Sequence, residues 1–337
     1  MLVKSPQSPL ARADAEVRAA LAMAEDPAAD PADQAEMLME IARGLLLRPR
    51  SPQQLHDAVT LCRRALDRVP ENRPLLAARI RALAGTAYQT LPDGGSDALR
   101  EAEACFLAAQ PALEAQGLPE EVAEVDLNLG LVTQALAEAG LARIQDAIAR
   151  YHRALRVFTA EAFPREHAIA HNNLAVIYLS LPVHDKAGEL REAMAVQSFE
   201  QVLKTVNLVD HPVEYAMAQN NLGNALQYCP GGNRIANLLR AVEAYDEALK
   251  VRNARDCPVE YANTLANKAN ALANLPDDAA VPAAGNPRNR AAARALLAEA
   301  QALFLGHGLA DNARMVAEAL AGIEHDEVHS PHEETKP

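Results

Sequence analysis

Within 337 residues, the side chains best suited to chemistry are a few histidines, cysteines and glycine pairs. His167 and His171 stand four apart beside Glu166. On a helix that spacing puts two imidazoles on one face, a metal-binding arrangement when a third ligand is near. None is evident, and the H-E-x-x-H order is absent. His325, His329 and His332 sit among carboxylates near the C-terminus, a composition that holds metal loosely. Cys62, Cys105, Cys229 and Cys257 include no C-x-x-C pair, so neither a disulfide framework nor a zinc site is indicated. Gly94-Gly95 and Gly231-Gly232 lack the following Lys-Ser/Thr of a phosphate loop and read as turns. Arg234, Arg240, Arg252 and Arg255 form a basic strip offset by Glu243 and Asp246. The carboxylates are too scattered to define an acid/base pair. The expectation is a chain that is not an enzyme and holds no metal or cofactor.

A net charge of −13 argues against nucleic acid, whose phosphates such a surface would repel. No run is long and apolar enough to span a bilayer, and Asp14, Glu16 and Arg18 interrupt any signal-peptide stretch. The expected compartment is the cytoplasm. Half the residues are apolar, yet only 4% are aromatic and none is Trp. A core built from Ala and Leu suits closely packed helices.

Such helices recur. Pro212-Val-Glu-Tyr215-Ala leads into Asn220-Asn221-Leu222-Gly223. Forty-six residues later Pro258-Val-Glu-Tyr261-Ala leads into Asn267 and Asn270, and forty-eight earlier Pro164-Arg-Glu-His167-Ala leads into Asn172-Asn173-Leu174-Ala175. Pro119 with Asn128-Leu129-Gly130, and Pro74 with Ala84-Gly85, continue the series. His167 thus stands where later repeats carry Tyr, a packing position. Each segment reads as an A helix opened by Pro, followed by acidic residues that suit the helix dipole. B helices alternate with them, carrying a small, large, small stripe at i, i+4, i+7, the period of an apolar helix face. Examples are Ala58-Cys62-Ala65, Ala102-Phe106-Ala109, Ala147-Tyr151-Ala154, Ala195-Phe199-Val202, Ala241-Tyr245-Ala248 and Ala293-Leu297-Ala300. From the last stripe residue to the next A-helix Gly or Ala the spacing is 20 or 21, whereas A-to-B spacing varies from 17 to 24. Insertions therefore gather at the A-to-B edge, and the one over 276–290 reads as mobile. Pro111 is expected to end or kink its helix.

The resulting domain plan is a leading segment and helix (1–30), six helix pairs (31–305), a capping helix (306–323) and a disordered tail (324–337). A helix pair of this kind leaves faces to be covered by its neighbours, so pairs stack.

The two signatures together, A-helix Leu-Gly/Ala and B-helix Ala-x-x-x-Tyr/Phe-x-x-Ala, resemble the tetratricopeptide repeat (TPR) family. The longer Asn-Asn-Leu-Gly/Ala period is similar to kinesin light chains and to bacterial arrays that accompany CHAT peptidases. The resemblance implies an all-α fold, a right-handed α-solenoid of TPR-like helix pairs. It also implies a groove lined by the A helices, placing Leu127, Leu131, Asn172, Val176, Met217, Asn220, Asn224, Gln227, Asn263 and Asn270 on the inner face. Amides offer donor and acceptor to an extended backbone. A second series, Asn128, Asn173, Asn221 and Asn267, is expected to bond neighbouring helices or loops. The function implied is a protein-interaction scaffold or adaptor holding a partner peptide or helix. Two alternatives are a regulatory or assembly-chaperone subunit for a peptidase or metalloenzyme client, and an intracellular peptide sensor.

Overall fold

The computed structural model describes residues 15–23, 28–181, 186–229 and 233–329. Its helices are α1 (Ala15–Met23), α2 (Pro31–Leu47), α3 (Pro52–Leu66), α4 (Pro74–Gln89), α5 (Gly95–Gln116), α6 (Pro119–Glu138) and α7 (Ile144–Ala154). They continue with α8 (Pro164–Ser180), α9 (Lys186–Thr205), α10 (Pro212–Tyr228), α11 (Arg234–Leu249), α12 (Pro258–Ala273), α13 (Pro287–Gly306) and α14 (Ala310–His329). Among the described residues there is no strand. All six A helices, the even-numbered ones from α2 to α12, begin on proline. The ring presets φ for a helix, and the missing N–H is one that a helix start leaves unpaired.

The chain divides into two compact units, Met1–Ala162 and Phe163–Pro337. The sequence suggests one array over 31–305; the contacts divide it between α7 and α8. In the first unit α2 packs on α3, α4 on α5 and α6 on α7, and α3–α4 and α5–α6 contacts stack these pairs. In the second the pairs are α8–α9, α10–α11 and α12–α13, stacked through α9–α10 and α11–α12, and α14 closes on α13 and α12. Each unit is an α-solenoid of three helix pairs.

The B-helix stripe is the core. Phe106, Tyr151, Phe199 and Tyr245 are fully buried, and so are the alanines flanking them. Small A-helix residues make room for these rings: a Cβ added at Gly130 would fall 2.6 Å from the Tyr151 ring. The Tyr151 hydroxyl still finds a partner, Gln134 Oε1, at 3.0 Å.

Three expectations are modified. Pro111 lies inside α5, which continues to Gln116. The carbonyl deprived of its partner is that of Leu107, a residue 45% exposed, so the proline faces the solvent side. The helix expected to end at Ile323 runs on to His329, and residues 330–337 lie outside the described residues. The insertion read as mobile is pinned by side chains: Asp277 accepts from the backbone N–H of Arg288 at 2.9 Å and of Asn289 at 2.8 Å. Asn286 also donates to the Ala273 carbonyl at 2.6 Å. The pair Gly231-Gly232 lies outside the described residues.

Candidate protein-interaction surface

One opening in the second unit is a cleft of about 540 Å³ between α12, α13 and α14. Along α12, Asn263, Asn267, Asn270 and Asn274 follow i, i+4, i+7, i+11, so one helix face presents a ladder of amides. Asn312 and the 59% exposed Met315 of α14 face it. Arg290 is the single ionisable side chain in the lining. Each amide of the ladder can donate and accept a hydrogen bond, and Met315 adds a flexible apolar side chain to the opposite wall.

A second cleft, about 470 Å³, opens where α8, the end of α9 and the start of α10 meet. Its walls are aliphatic: Ile169, Val202, Val206 and Met217. Asn172 also lines it, and its Oδ1 atom is buried without a hydrogen-bond partner among the described residues.

The chain is a helical-repeat protein. No family model matches its sequence, and no curated protein matches it. Among solved structures, the crystal structure of BtubC (BKLC) from P. vanneervenii is 20% identical, with a TM-score of 0.49 over 72% of this chain and 89% of that one.

The residues expected to line one groove are treated differently by the repeat packing. In the first unit Leu127 is buried and Leu131 half-buried. In the second, Asn263 and Asn270 are open in the larger cleft, and Asn270 donates to the Tyr228 hydroxyl at 3.3 Å. Asn172 and Met217 meet in the smaller one. Val176 is 38% exposed. Asn220 is buried, with its Oδ1 3.2 Å from Thr264 Oγ1 and 3.4 Å from Asn267 Nδ2, so it ties α10 to α12. Asn224 accepts from the buried Tyr245 hydroxyl at 2.7 Å, and Gln227 is also buried. Leu127 is thus covered, and the Asn220 and Asn224 side chains are engaged by Thr264 and Asn267 and by Tyr245. Of the second Asn series, Asn267 does reach a neighbouring helix; Asn221 bonds Asn220 within α10.

Sequence reasoning missed α14 as a wall of the larger cleft. It also missed the turn before α10, where Asn207 Oδ1 accepts from Val209 N at 3.0 Å and Asp210 N at 2.9 Å. Asn253 repeats the turn with Arg255 N and Asp256 N. The shared Asn-x-x-Asp-x-Pro order was the available signal.

Other candidates for chemistry are held in the packing. His167 is buried, its ring centroid 4.5 Å from that of His171. Among the described residues no group of three or more His, Cys, Asp or Glu could hold a metal ion. Burial, with the nearby Cys105, pushes the Cys62 thiol up to about 12, which keeps it protonated at neutral pH. No helix of the described residues is long and apolar enough to cross a membrane.

Proposed function

We propose that the protein is a non-catalytic scaffold that captures a segment of a partner protein on the exposed faces of its A helices. The observation that carries this reading is the α12 amide ladder facing Met315 across an open cleft. Recognition of a backbone needs paired donors and acceptors; catalysis needs titratable groups poised near one another. The cleft is rich in the first and has one ionisable side chain, Arg290. The Leu-Gly/Ala and Ala-x-x-x-Tyr/Phe-x-x-Ala signatures support membership of the tetratricopeptide family, on the kinesin-light-chain-like side, and a cytoplasmic protein or peptide partner.

The test is a pull-down from native lysate, identified by mass spectrometry, with wild type beside the double variant Asn263→Ala/Asn270→Ala. Both residues are exposed, so the helical circular dichroism and melting temperature should stay unchanged. Partners held by the ladder should drop out of the variant's set. An identical set from both proteins would remove the cleft from the reading.

A further inference from the structure

The geometry points to a second docking site, independent of the α12 ladder. The cleft between α8, α9 and α10 takes an extended peptide segment carrying one branched aliphatic side chain, with an acidic residue on one side and a basic residue on the other.

Four observations specify that occupant. The aliphatic walls, Ile169, Val202, Val206 and Met217, enclose about 470 Å³, within the usual range for a ligand pocket. An aliphatic side chain is what such walls reward.

The backbone conformation follows from the amides Asn172 and Asn173, which line the cleft and can pair with ligand backbone groups. A helical ligand spends its backbone N–H groups on itself. An extended segment has them free.

Charge sets the flanks. Arg165 on α8 and Glu214 on α10 both line the cleft, both are exposed, and neither has a hydrogen-bond or ion-pair partner among the described residues. Arg165 also lies in the first turn of its helix, where the dipole disfavours a cation. A carboxylate from the ligand there would answer both the guanidinium and the helix end, and a ligand cation would face Glu214.

The rim comes from an internal comparison. The turn Asn207–Pro212 and the turn Asn253–Pro258 share the same Asn-to-backbone hydrogen bonds. At equivalent places the first has Leu208-Val209 and the second Ala254-Arg255. Turn formation therefore does not require the apolar pair. Yet Val209 is 86% exposed, the highest exposure of any large apolar side chain among the described residues, and Leu208 is 37% exposed. The turn enters and leaves beside Val206 and His211, both cleft residues. The pair extends the apolar surface outward from the cleft.

The probes are two fluorescein-labelled, end-capped peptides, Glu-Ser-Leu-Ser-Lys and Lys-Ser-Leu-Ser-Glu, titrated against the full chain by fluorescence anisotropy. One order should bind more tightly than the other. Methylating the leucine backbone nitrogen should weaken it about tenfold, the effect of losing one buried hydrogen bond. The double reversal Arg165→Glu/Glu214→Arg should swap the preferred order, a readout that a purely structural role would not move. Asn263→Ala/Asn270→Ala should leave binding unchanged; loss of binding there would put the peptide on the α12 ladder and overturn this site while supporting that one. Binding no tighter than a Leu-to-Asn control peptide, indifference to N-methylation, or tighter binding of a stapled helical version would each overturn the proposal.

Discussion

Gly223 on α10 lies against the ring of Tyr245 on α11 so closely that a Cβ there would come within 2.6 Å of Cε1. The ring is fully buried and its hydroxyl is tied to Asn224, so it has nowhere to swing. Gly223→Ala gains about 0.5–1 kcal/mol of helix propensity and incurs ~1–3 kcal/mol of overpacking. The clash wins, and a net loss of about 1–2 kcal/mol is expected in urea unfolding. In a Tyr245→Leu background the same change should cost little, because the repeat with Ala269 on α12 carries Leu297 at the ring position. Equal costs in both backgrounds would contradict the ring contact.

Asp126 is the charged centre of the first unit. Its side chain is 3% exposed, with Arg150 at 2.9 Å and Arg153 at 3.1 Å, joining α6 to α7. Asp126→Asn keeps the shape but removes the carboxylate that faces Arg150 and Arg153, leaving Arg150 with Gln110 and Arg153 with Glu114. A loss of roughly 2–3 kcal/mol is expected, somewhat below that for a fully buried pair. Arg153→Ala should cost less, since Arg153 is 39% exposed and Arg150 still neutralises the carboxylate. Chemical denaturation that reverses this order would refute the assignment.

Glu121 links two A helices and caps one of them. It accepts Arg79 Nε at 2.6 Å and Nη2 at 3.2 Å, and its Oε2 also takes the Leu118 N–H at 2.8 Å. The Arg79 hydrogen bond holds its carboxyl below the usual glutamate value of 4.5. A carboxylate depressed on folding stabilises fully above its unfolded pKa, and that contribution fades as pH falls through the folded value. Glu121→Gln should therefore lower the melting temperature at pH 7. The gap to wild type should narrow below about pH 4.5. A gap that holds constant down to pH 3 would rule out this linkage.

Asp277 acts as a cap from outside its helix. Its carboxylate receives the N–H groups of Arg288 and Asn289 in the first turn of α13. Asp277→Ala should leave global melting nearly unchanged and speed hydrogen exchange over residues 276–290. Trypsin should also cut faster at Arg288 and Arg290. Unaltered exchange in that segment would mean that Asn286 and Asn289 suffice to hold it.

Much of this architecture is local and therefore readable in one dimension. Proline at each A-helix start, the small-large-small stripe of each B helix and the near-constant step between them dictate helices, their pairing and their buried faces. The 3.6-residue period alone tells which side of a helix must be covered. What it leaves open is how near the next helix comes to the uncovered side. That distance made Asn220 a tie between α10 and α12, drew Asn224 to the Tyr245 hydroxyl, and left Asn263 and Asn270 in the open. It also made α14 a cleft wall and stranded Asn172 Oδ1 without a donor. Amides have no preference between core and solvent strong enough to declare themselves. Their roles were settled by which groups the tertiary packing brought within hydrogen-bond reach.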